Sequence, residues 1–165
     1  MIESLSLYRN ELHGSIPVGI SRLLSLKYIG FGYNRFIGTI PEELFLISGL
    51  ESVYMNINMI TGTIPNMHTD MLLLSSILLG GNLLSGTIPE WIGNAAALES
   101  FQIQLNSLSG SISSELFAMS SLVYLDLSSN QFSGSIQLPK GIKNISLTSG
   151  KRYYLLLLIM RIKIH

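Results

Sequence analysis

The sequence has no cysteine among its 165 residues. Disulfide frameworks and thiolate metal sites are therefore excluded. Charged residues make up only 12% of the chain, and no basic stretch is longer than Lys151–Arg152. The electrostatic footprint of a nucleic-acid-binding protein is missing, so we predict no nucleic-acid partner. Apolar residues make up 47% of the chain, which is too many for a disordered tail.

Membrane and targeting signals are also missing. The chain does not begin with a positive region followed by an apolar run, so the sequence predicts no signal peptide. The densest apolar run, Tyr153–Met160, has eight residues, whereas a membrane-spanning helix needs roughly 17–25. We therefore predict no transmembrane segment in this chain.

Motifs for catalysis are scarce. His13, His68 and His165 fall at unrelated positions, without cysteine or clustered carboxylates beside them. His68 and Asp70 form an H-x-D pair, but metal or acid-base chemistry needs a converging set of groups. Neither a G-x-S-x-G elbow, nor a G-x-x-x-x-G-K-[ST] loop, nor a kinase signature occurs. We predict no enzyme activity, no cofactor and no metal site.

A repeat of 24 residues is the main feature of the sequence. The repeated asparagines are Asn10, Asn34, Asn58, Asn82, Asn106 and Asn130. In every repeat, the positions eight, five and three residues before the asparagine and two residues after it are apolar. In the first repeat these positions hold Ile2, Leu5, Leu7 and Leu12. A glycine four residues after the asparagine and an isoleucine six residues after it keep the same step.

Each repeated position has a physical role. The apolar residues five and three before the asparagine lie on one face of a short strand, by the period-2 rule. Strands that recur at a constant step stack and pair in parallel. The asparagine amides hydrogen-bond backbone groups inside the coil and are expected to form a ladder along it. The glycine permits positive φ at the next corner, and Pro17, Pro41, Pro65 and Pro89 fix φ after it.

The repeated pattern LxxLxLxxNxLxGxIPxxLxxLxx resembles the plant-specific leucine-rich repeat. The best local matches are LSLYRNELHGSIP, LLGGNLLSGTIPEWIG and LVYLDLSSNQFSGSI, and the resemblance runs continuously over residues 2–137. That repeat occurs in the ectodomains of plant receptor-like kinases and receptor-like proteins, and in secreted polygalacturonase-inhibiting proteins. The resemblance implies an α/β leucine-rich-repeat solenoid, a horseshoe or superhelix, with a concave parallel β-sheet. It also implies a second short strand at the Gly-x-Ile segment.

The domain prediction follows from where the repeat is regular. Residues 1–150 are predicted to form the leucine-rich-repeat domain, with six 24-residue repeats and a degenerate seventh. Ser113 and Gln137 replace the proline in repeats five and six. Residues 151–165 are an apolar tail that matches nothing in the family, and we favour a truncated or mis-joined frame over a membrane anchor or capping strand. Solenoids need polar caps, so we expect the chain to be a fragment of a longer ectodomain.

The candidate binding residues lie between and beside the apolar strand positions, on the predicted concave face. The partner-binding residues that we predict are Tyr8, Arg9, Tyr28, Tyr33, Tyr54, Asn56, Gln102, Gln104, Tyr124 and Asp126. Lys27, Glu51 and Glu99 are expected on the same face. Tyrosine and arginine are common anchors of protein interfaces, although strand surfaces favour tyrosine in any case. Shallow places are expected at four glycines, namely Gly30, Gly32, Gly80 and Gly81.

The sequence favours an interaction module over an enzyme. By resemblance, its partners would be a protein or peptide ligand and a co-receptor, in signalling or defence at the plasma membrane or outside the cell. Two alternatives stay open: a secreted leucine-rich-repeat inhibitor of a wall-degrading enzyme, and a truncated fragment of a receptor-kinase gene without activity of its own. A kinase domain belongs only to such a longer parent gene, because none is present in these residues.

Overall fold

The computed structural model describes residues 1–67 and 72–135, together with the backbone of a short strand at Tyr154–Leu155. The H-x-D pair at His68 and the degenerate seventh repeat lie outside the described residues, as does most of the 151–165 tail.

The described residues form short strands and single-turn helices. The strands are β1 (Ser4–Ser6), β2 (His13–Ser15), β3 (Tyr28–Gly30), β4 (Arg35–Ile37), β5 (Ser52–Tyr54), β6 (Ser76–Leu78), β7 (Ser85–Gly86), β8 (Ser100–Gln102), β9 (Ser107–Gly110), β10 (Tyr124–Asp126), β11 (Gln131–Phe132) and β12 (Tyr154–Leu155). The helices are 3-10 helices at Val18–Arg22, Glu42–Leu46 and Glu90–Asn94, and an α-helix, α1, at Ser114–Ala118.

One parallel sheet runs the length of the solenoid. Its strand order is β1-β3-β5-β6-β8-β10-β12. From β1 to β10 each strand pairs with the one 24 residues further on, as in the register of Ser4 with Tyr28 and of Tyr28 with Ser52. The last pairing departs from this step, because Tyr124 lies opposite Tyr154. The parallel sheet expected from the repeat is therefore present, while the domain boundary at residue 150 stays a prediction.

The second strands have two to four residues and lie at or just before the position that the resemblance implied. The strands β2 and β4 pair with each other, and β7, β9 and β11 form a second small parallel sheet. The strand β2 includes the corner glycine and the residue after it, β7 and β9 end on that glycine, and β4 and β11 end before it. The corner glycines, from Gly14 to Gly134, all have φ between +77° and +94°. An L-residue is strained in this conformation, so the corner requires glycine.

A single-turn helix lies on the outer side of four repeats. Pro17, Pro41 and Pro89 each precede a 3-10 helix, with φ between −62° and −74°. Where Ser113 replaces proline, α1 begins instead, and the Ser113 hydroxyl accepts a hydrogen bond from the Glu115 amide at 3.3 Å. Serine is a favourable N-cap because its side chain satisfies an amide that has no partner within the helix. The helix type differs in this repeat, and the large sheet continues through it.

The asparagines form a continuous hydrogen-bond ladder. Asn58 is buried, and its amide donates to the Phe31 carbonyl at 3.0 Å and to the Met55 carbonyl at 3.1 Å. Its oxygen accepts from the Phe36 amide at 3.0 Å. Equivalent bonds to the preceding repeat are made by Asn34, Asn82, Asn106 and Asn130. Asn10 differs, because the bonds recorded for it are to carbonyls within its own repeat.

The hydrophobic core lies behind the sheet and is continuous through the repeats. Leu26, Leu50 and Leu74, one from each successive repeat, are fully buried. In the first repeat the equivalent Ile2 is 52% exposed.

Candidate ligand-binding face

The concave face presents the first and third residues of each strand of the large sheet, because the second residue points into the core. The second residues Ile29, Val53, Ile77 and Phe101 are fully buried. We call the first residues of these strands the first-position column; it consists of Ser4, Tyr28, Ser52, Ser76, Ser100 and Tyr124. The third residues are Ser6, Gly30, Tyr54, Leu78, Gln102 and Asp126. Side-chain alternation along a strand explains this arrangement.

An aromatic and basic cluster occupies the face at the first two repeats. The rings of Tyr8 and Tyr33 meet edge-to-face with their centroids 5.2 Å apart. The Arg9 guanidinium carbon lies 5.7 Å from the Tyr8 ring centroid and 5.3 Å from that of Tyr33. These distances are within the range of a cation-π interaction. Three of the predicted binding residues are therefore brought together, and they contact one another.

A second tyrosine pair joins repeats two and three. Tyr28 and Tyr54 also meet edge-to-face, with centroids 5.2 Å apart. Burial raises the pKa of the Tyr28 hydroxyl above its ordinary value, the Tyr54 hydroxyl raises it further, and a hydrogen bond with Ser6 acts in the opposite direction. A Cβ atom added at Gly30 would lie 2.5 Å from the Tyr28 hydroxyl oxygen. The Tyr28 side chain thus lies across Gly30 toward Tyr54.

The cavity on the concave face lies between Tyr54 and Tyr124. It has a volume of about 370 Å³. Its floor is formed by the first-position serines Ser52, Ser76 and Ser100. Leu78 and Gln102 from the third positions, and Ser75 and Glu99 from the residues just before the strands, complete the lining. This volume is near the lower end of the roughly 300–1,000 Å³ of ligand pockets, so the cavity suits one or two residues of a ligand.

Sequence reasoning identified part of this cavity and missed the rest. Tyr54, Gln102 and Tyr124 were predicted as binding residues and line it. The serines were missed, although a readable signal exists: serine recurs at the first strand position in repeats one, three, four and five. A small hydroxyl between two tyrosines leaves a depression that a run of larger residues would fill.

The shallow places expected at four glycines are not open, and that expectation was wrong. A Cβ atom added at Gly32 would lie 2.7 Å from the Asn56 amide oxygen, and one at Gly80 would lie 2.5 Å from the Gln104 side chain. Tyr28 covers Gly30, and Ile57 covers Gly81 in the same way. Neighbouring side chains fill the space that each missing side chain leaves.

Asp126 and Gln104, two more of the predicted binding residues, differ in their hydrogen bonds within the chain. Asp126 accepts hydrogen bonds from the Ser128 amide at 3.1 Å and the Ser128 hydroxyl at 2.7 Å, which hold its carboxylate at the turn. The Gln104 side-chain oxygen is buried and accepts no hydrogen bond from any residue of the described ranges. A buried acceptor without a donor is costly, and the Gln104 side chain lies against Gly80 of the preceding repeat.

Within residues 1–67 and 72–135, no group of histidine and acidic residues is arranged to hold a metal ion. The helices in this part of the chain are also too short or too polar to cross a membrane.

Comparisons with known proteins agree with this geometry. The family described as Leucine Rich Repeat matches residues 73–95 and 121–145. The chain is similar to the crystal structure of the Arabidopsis receptor kinase HAESA in complex with the peptide hormone IDA and the co-receptor SERK1, with a TM-score of 0.78 and 37% identity over 82% of this chain. A search of curated protein sequences finds no match.

Two further solved structures are similar. The plant peptide hormone receptor RGFR1 in complex with RGF2 has a TM-score of 0.69 and 31% identity over 82% of this chain. The complex of PEPR1 with AtPEP1 has a TM-score of 0.72 and 32% identity over 81% of this chain. This chain spans 23% of HAESA, 26% of RGFR1 and 22% of PEPR1. The predicted leucine-rich-repeat solenoid is confirmed, and it is about a quarter as long as these receptor ectodomains.

Proposed function

We propose that this chain, a plant-type leucine-rich-repeat protein, is a non-catalytic module that binds a peptide on its concave face. The observation that carries the proposal is the cavity between Tyr54 and Tyr124 on the face that the sheet presents. Its hydroxyl, amide and aromatic lining suits a peptide, whose backbone needs hydrogen-bond partners and whose side chains need contact area.

The similar structures support the same ligand class. HAESA is seen with a peptide hormone, and RGFR1 is described as a peptide hormone receptor. Function that rests on fold is an analogy, so the lining of this chain's own cavity carries the argument. We further propose that the module acts outside the cell or at the plasma membrane, and that a co-receptor binds beside the ligand.

A peptide-display selection tests the proposal. Random peptides are selected on the full chain, and their affinities are then measured for two variants, Ser100→Trp and Ser120→Trp. Ser100→Trp places a large ring on the cavity floor, whereas Ser120 is exposed and follows α1 on the outer side. We expect Ser100→Trp to weaken binding by at least about tenfold, which is about 1.4 kcal/mol, and Ser120→Trp to leave it unchanged.

Circular dichroism and urea unfolding show whether both variants keep the fold. The proposal is wrong if the selected peptides bind the Ser100→Trp variant as tightly as the natural chain, or if no peptide is selected.

A further inference from the structure

Charge is divided unevenly along this chain. Residues 36–139 contain eight acidic residues and no lysine or arginine. The acidic residues are Glu42, Glu43, Glu51, Asp70, Glu90, Glu99, Glu115 and Asp126. Residues 1–35 contain four basic and two acidic residues. The cavity therefore lies in the part of the chain without lysine or arginine. Glu42, Glu43, Glu90 and Glu115 lie in the outer helices, and Glu99 is the acidic residue in the cavity lining.

The first repeats supply cations to their own anionic and aromatic groups. The Lys27 ammonium lies 3.0 Å from the Glu3 carboxylate, and Arg9 lies over the rings of Tyr8 and Tyr33. The Glu3 hydrogen bond and charge, with a smaller contribution from Glu51, raise the pKa of Lys27. Carboxylates and tyrosines are thus matched by cations from this chain at this end of the face.

Glu99 in the cavity lining has no such cation. No ion pair to Glu99 is formed by any residue of the described ranges. The residues 24 positions before and after it are Ser75 and Val123, which carry no charge. The Glu99 side chain is exposed at the cavity. A ligand can therefore reach the carboxylate, which is solvated in the free chain.

We propose that the cavity takes the cationic side chain of an arginine or lysine of the bound peptide, with Glu99 as its counter-ion. The inference rests on the proposed function and names the ligand class for the same site. A guanidinium donates hydrogen bonds in several directions, and the serine hydroxyls beside Glu99 are acceptors for them. Tyr54 and Tyr124 line the cavity from β5 and β10, two strands that are three strand spacings, or about 14 Å, apart.

Other ligand groups fit this lining less well. A carboxylate or phosphate would meet Glu99 with no lysine or arginine from residues 36–139 to offset the repulsion. A purely apolar side chain would remove water from Glu99 and the serine hydroxyls without replacing their hydrogen bonds. A cation both compensates the carboxylate and uses the hydroxyls.

Pooled hexapeptides with acetylated and amidated ends test the inference. Each pool shares one fixed residue, either arginine, lysine, citrulline or glutamate, and the other positions are random. Citrulline keeps the shape of arginine without its charge. Binding to the full chain is compared with binding to Glu99→Gln and Glu90→Gln; Glu90 is exposed at the start of the 3-10 helix Glu90–Asn94. Both variants remove one negative charge, but only one of them changes the cavity.

We expect the arginine and lysine pools to bind about five- to tenfold more tightly than the citrulline pool, because the counter-ion is exposed and partly screened. Glu99→Gln should abolish this preference and Glu90→Gln should retain it. Added salt should weaken the arginine pool most. Equal binding of the arginine and citrulline pools, or an unchanged preference in Glu99→Gln, overturns the inference.

The Ser100→Trp variant separates this result from a failure of the proposed function. If the pools bind without charge preference and Ser100→Trp abolishes binding, the concave peptide site stands and the cation is wrong. If Ser100→Trp has no effect, or no pool binds, both proposals fall. Spermidine serves as a cation that is not a peptide. If spermidine binds the full chain as tightly as the arginine and lysine pools do, the assignment of the ligand to a peptide is overturned.

Discussion

In the first two repeats the concave face carries cations of its own, whereas in repeats three to six it carries carboxylates and hydroxyls. Arg9 lies over two tyrosine rings, and Lys27 is paired with Glu3. Glu99 lies in the cavity with no cation from the described residues paired to it. The framework is the same in both regions, since the strands keep one register. The exposed residues of a repeat can therefore change chemistry without changing the fold.

The first repeat also differs from the repeats after it in the hydrogen bonds of its asparagine and in the burial of its apolar residues. The amide of Asn58 bonds carbonyls of its own repeat and of the preceding one, while the bonds recorded for Asn10 stay within one repeat. Leu26 and Leu50 are fully buried, while Ile2 is half-exposed. In a solenoid, packing against neighbouring repeats contributes to the stability of each repeat.

The largest effect that we expect comes from the asparagine ladder. Asn58→Ala leaves the Phe31 and Met55 carbonyls and the Phe36 amide without this partner in a buried place, and should cost about 3 kcal/mol of unfolding free energy. Asn10→Ala should cost about 0.5 kcal/mol, because Asn10 is exposed and water can replace its bonds. Urea unfolding of the full chain measures both. Equal losses of unfolding free energy for the two variants would show that the bonds of Asn58 to the preceding repeat add no stability.

A smaller effect is expected where the chain turns after each large-sheet strand. Gly81 has φ +69°, and Ile57 takes φ +57° at the equivalent position one repeat earlier. Gly81→Ala should lower the free energy of unfolding by about 1–2 kcal/mol, because an L-residue is strained there. The added Cβ would also lie 2.7 Å from Ile57 Cδ1. Ile57→Asn should raise the free energy of unfolding by about 1 kcal/mol, because asparagine tolerates the left-handed conformation better than a β-branched residue. Thermal unfolding of both variants checks the opposite signs.

The smallest effect is expected from the tyrosine pair between the regions. Burial raises the pKa of Tyr28, so the unfolded chain loses this proton at a lower pH than the folded chain. The contribution of Tyr28 to stability is therefore fully present below its ordinary pKa of about 10 and is lost as the pH rises through the folded value. Tyr28→Phe should show a shallower fall of stability at alkaline pH. Identical alkaline profiles for the two proteins would show that Tyr28 titrates as in the unfolded chain.

Much of the fold could be predicted because the same apolar and asparagine positions recur every 24 residues. The apolar positions predicted the buried strand residues, such as Val53 and Ile77, and the asparagine positions indicated the ladder. The candidate site was less predictable. The strand pattern places Tyr54 and Tyr124 on one face, but it does not say that serines between them leave a cavity. Nor does it say that Asn56 and Gln104 lie over glycines of the preceding repeats, which only packing across strands decides.

The sequence by itself determined the 24-residue step, the face on which each strand residue lies, and the acidic character of residues 36–139. These follow from local periodicity and from composition, which need no knowledge of contacts. Only the tertiary structure decided which side chains meet across the stacked repeats. It paired Tyr28 with Tyr54, placed Arg9 over two rings, and left Glu99 at the cavity with no cation from the described residues. Rotamers and the side chains of the adjacent repeat settle such contacts, because stacked strands bring together side chains that are remote in the chain.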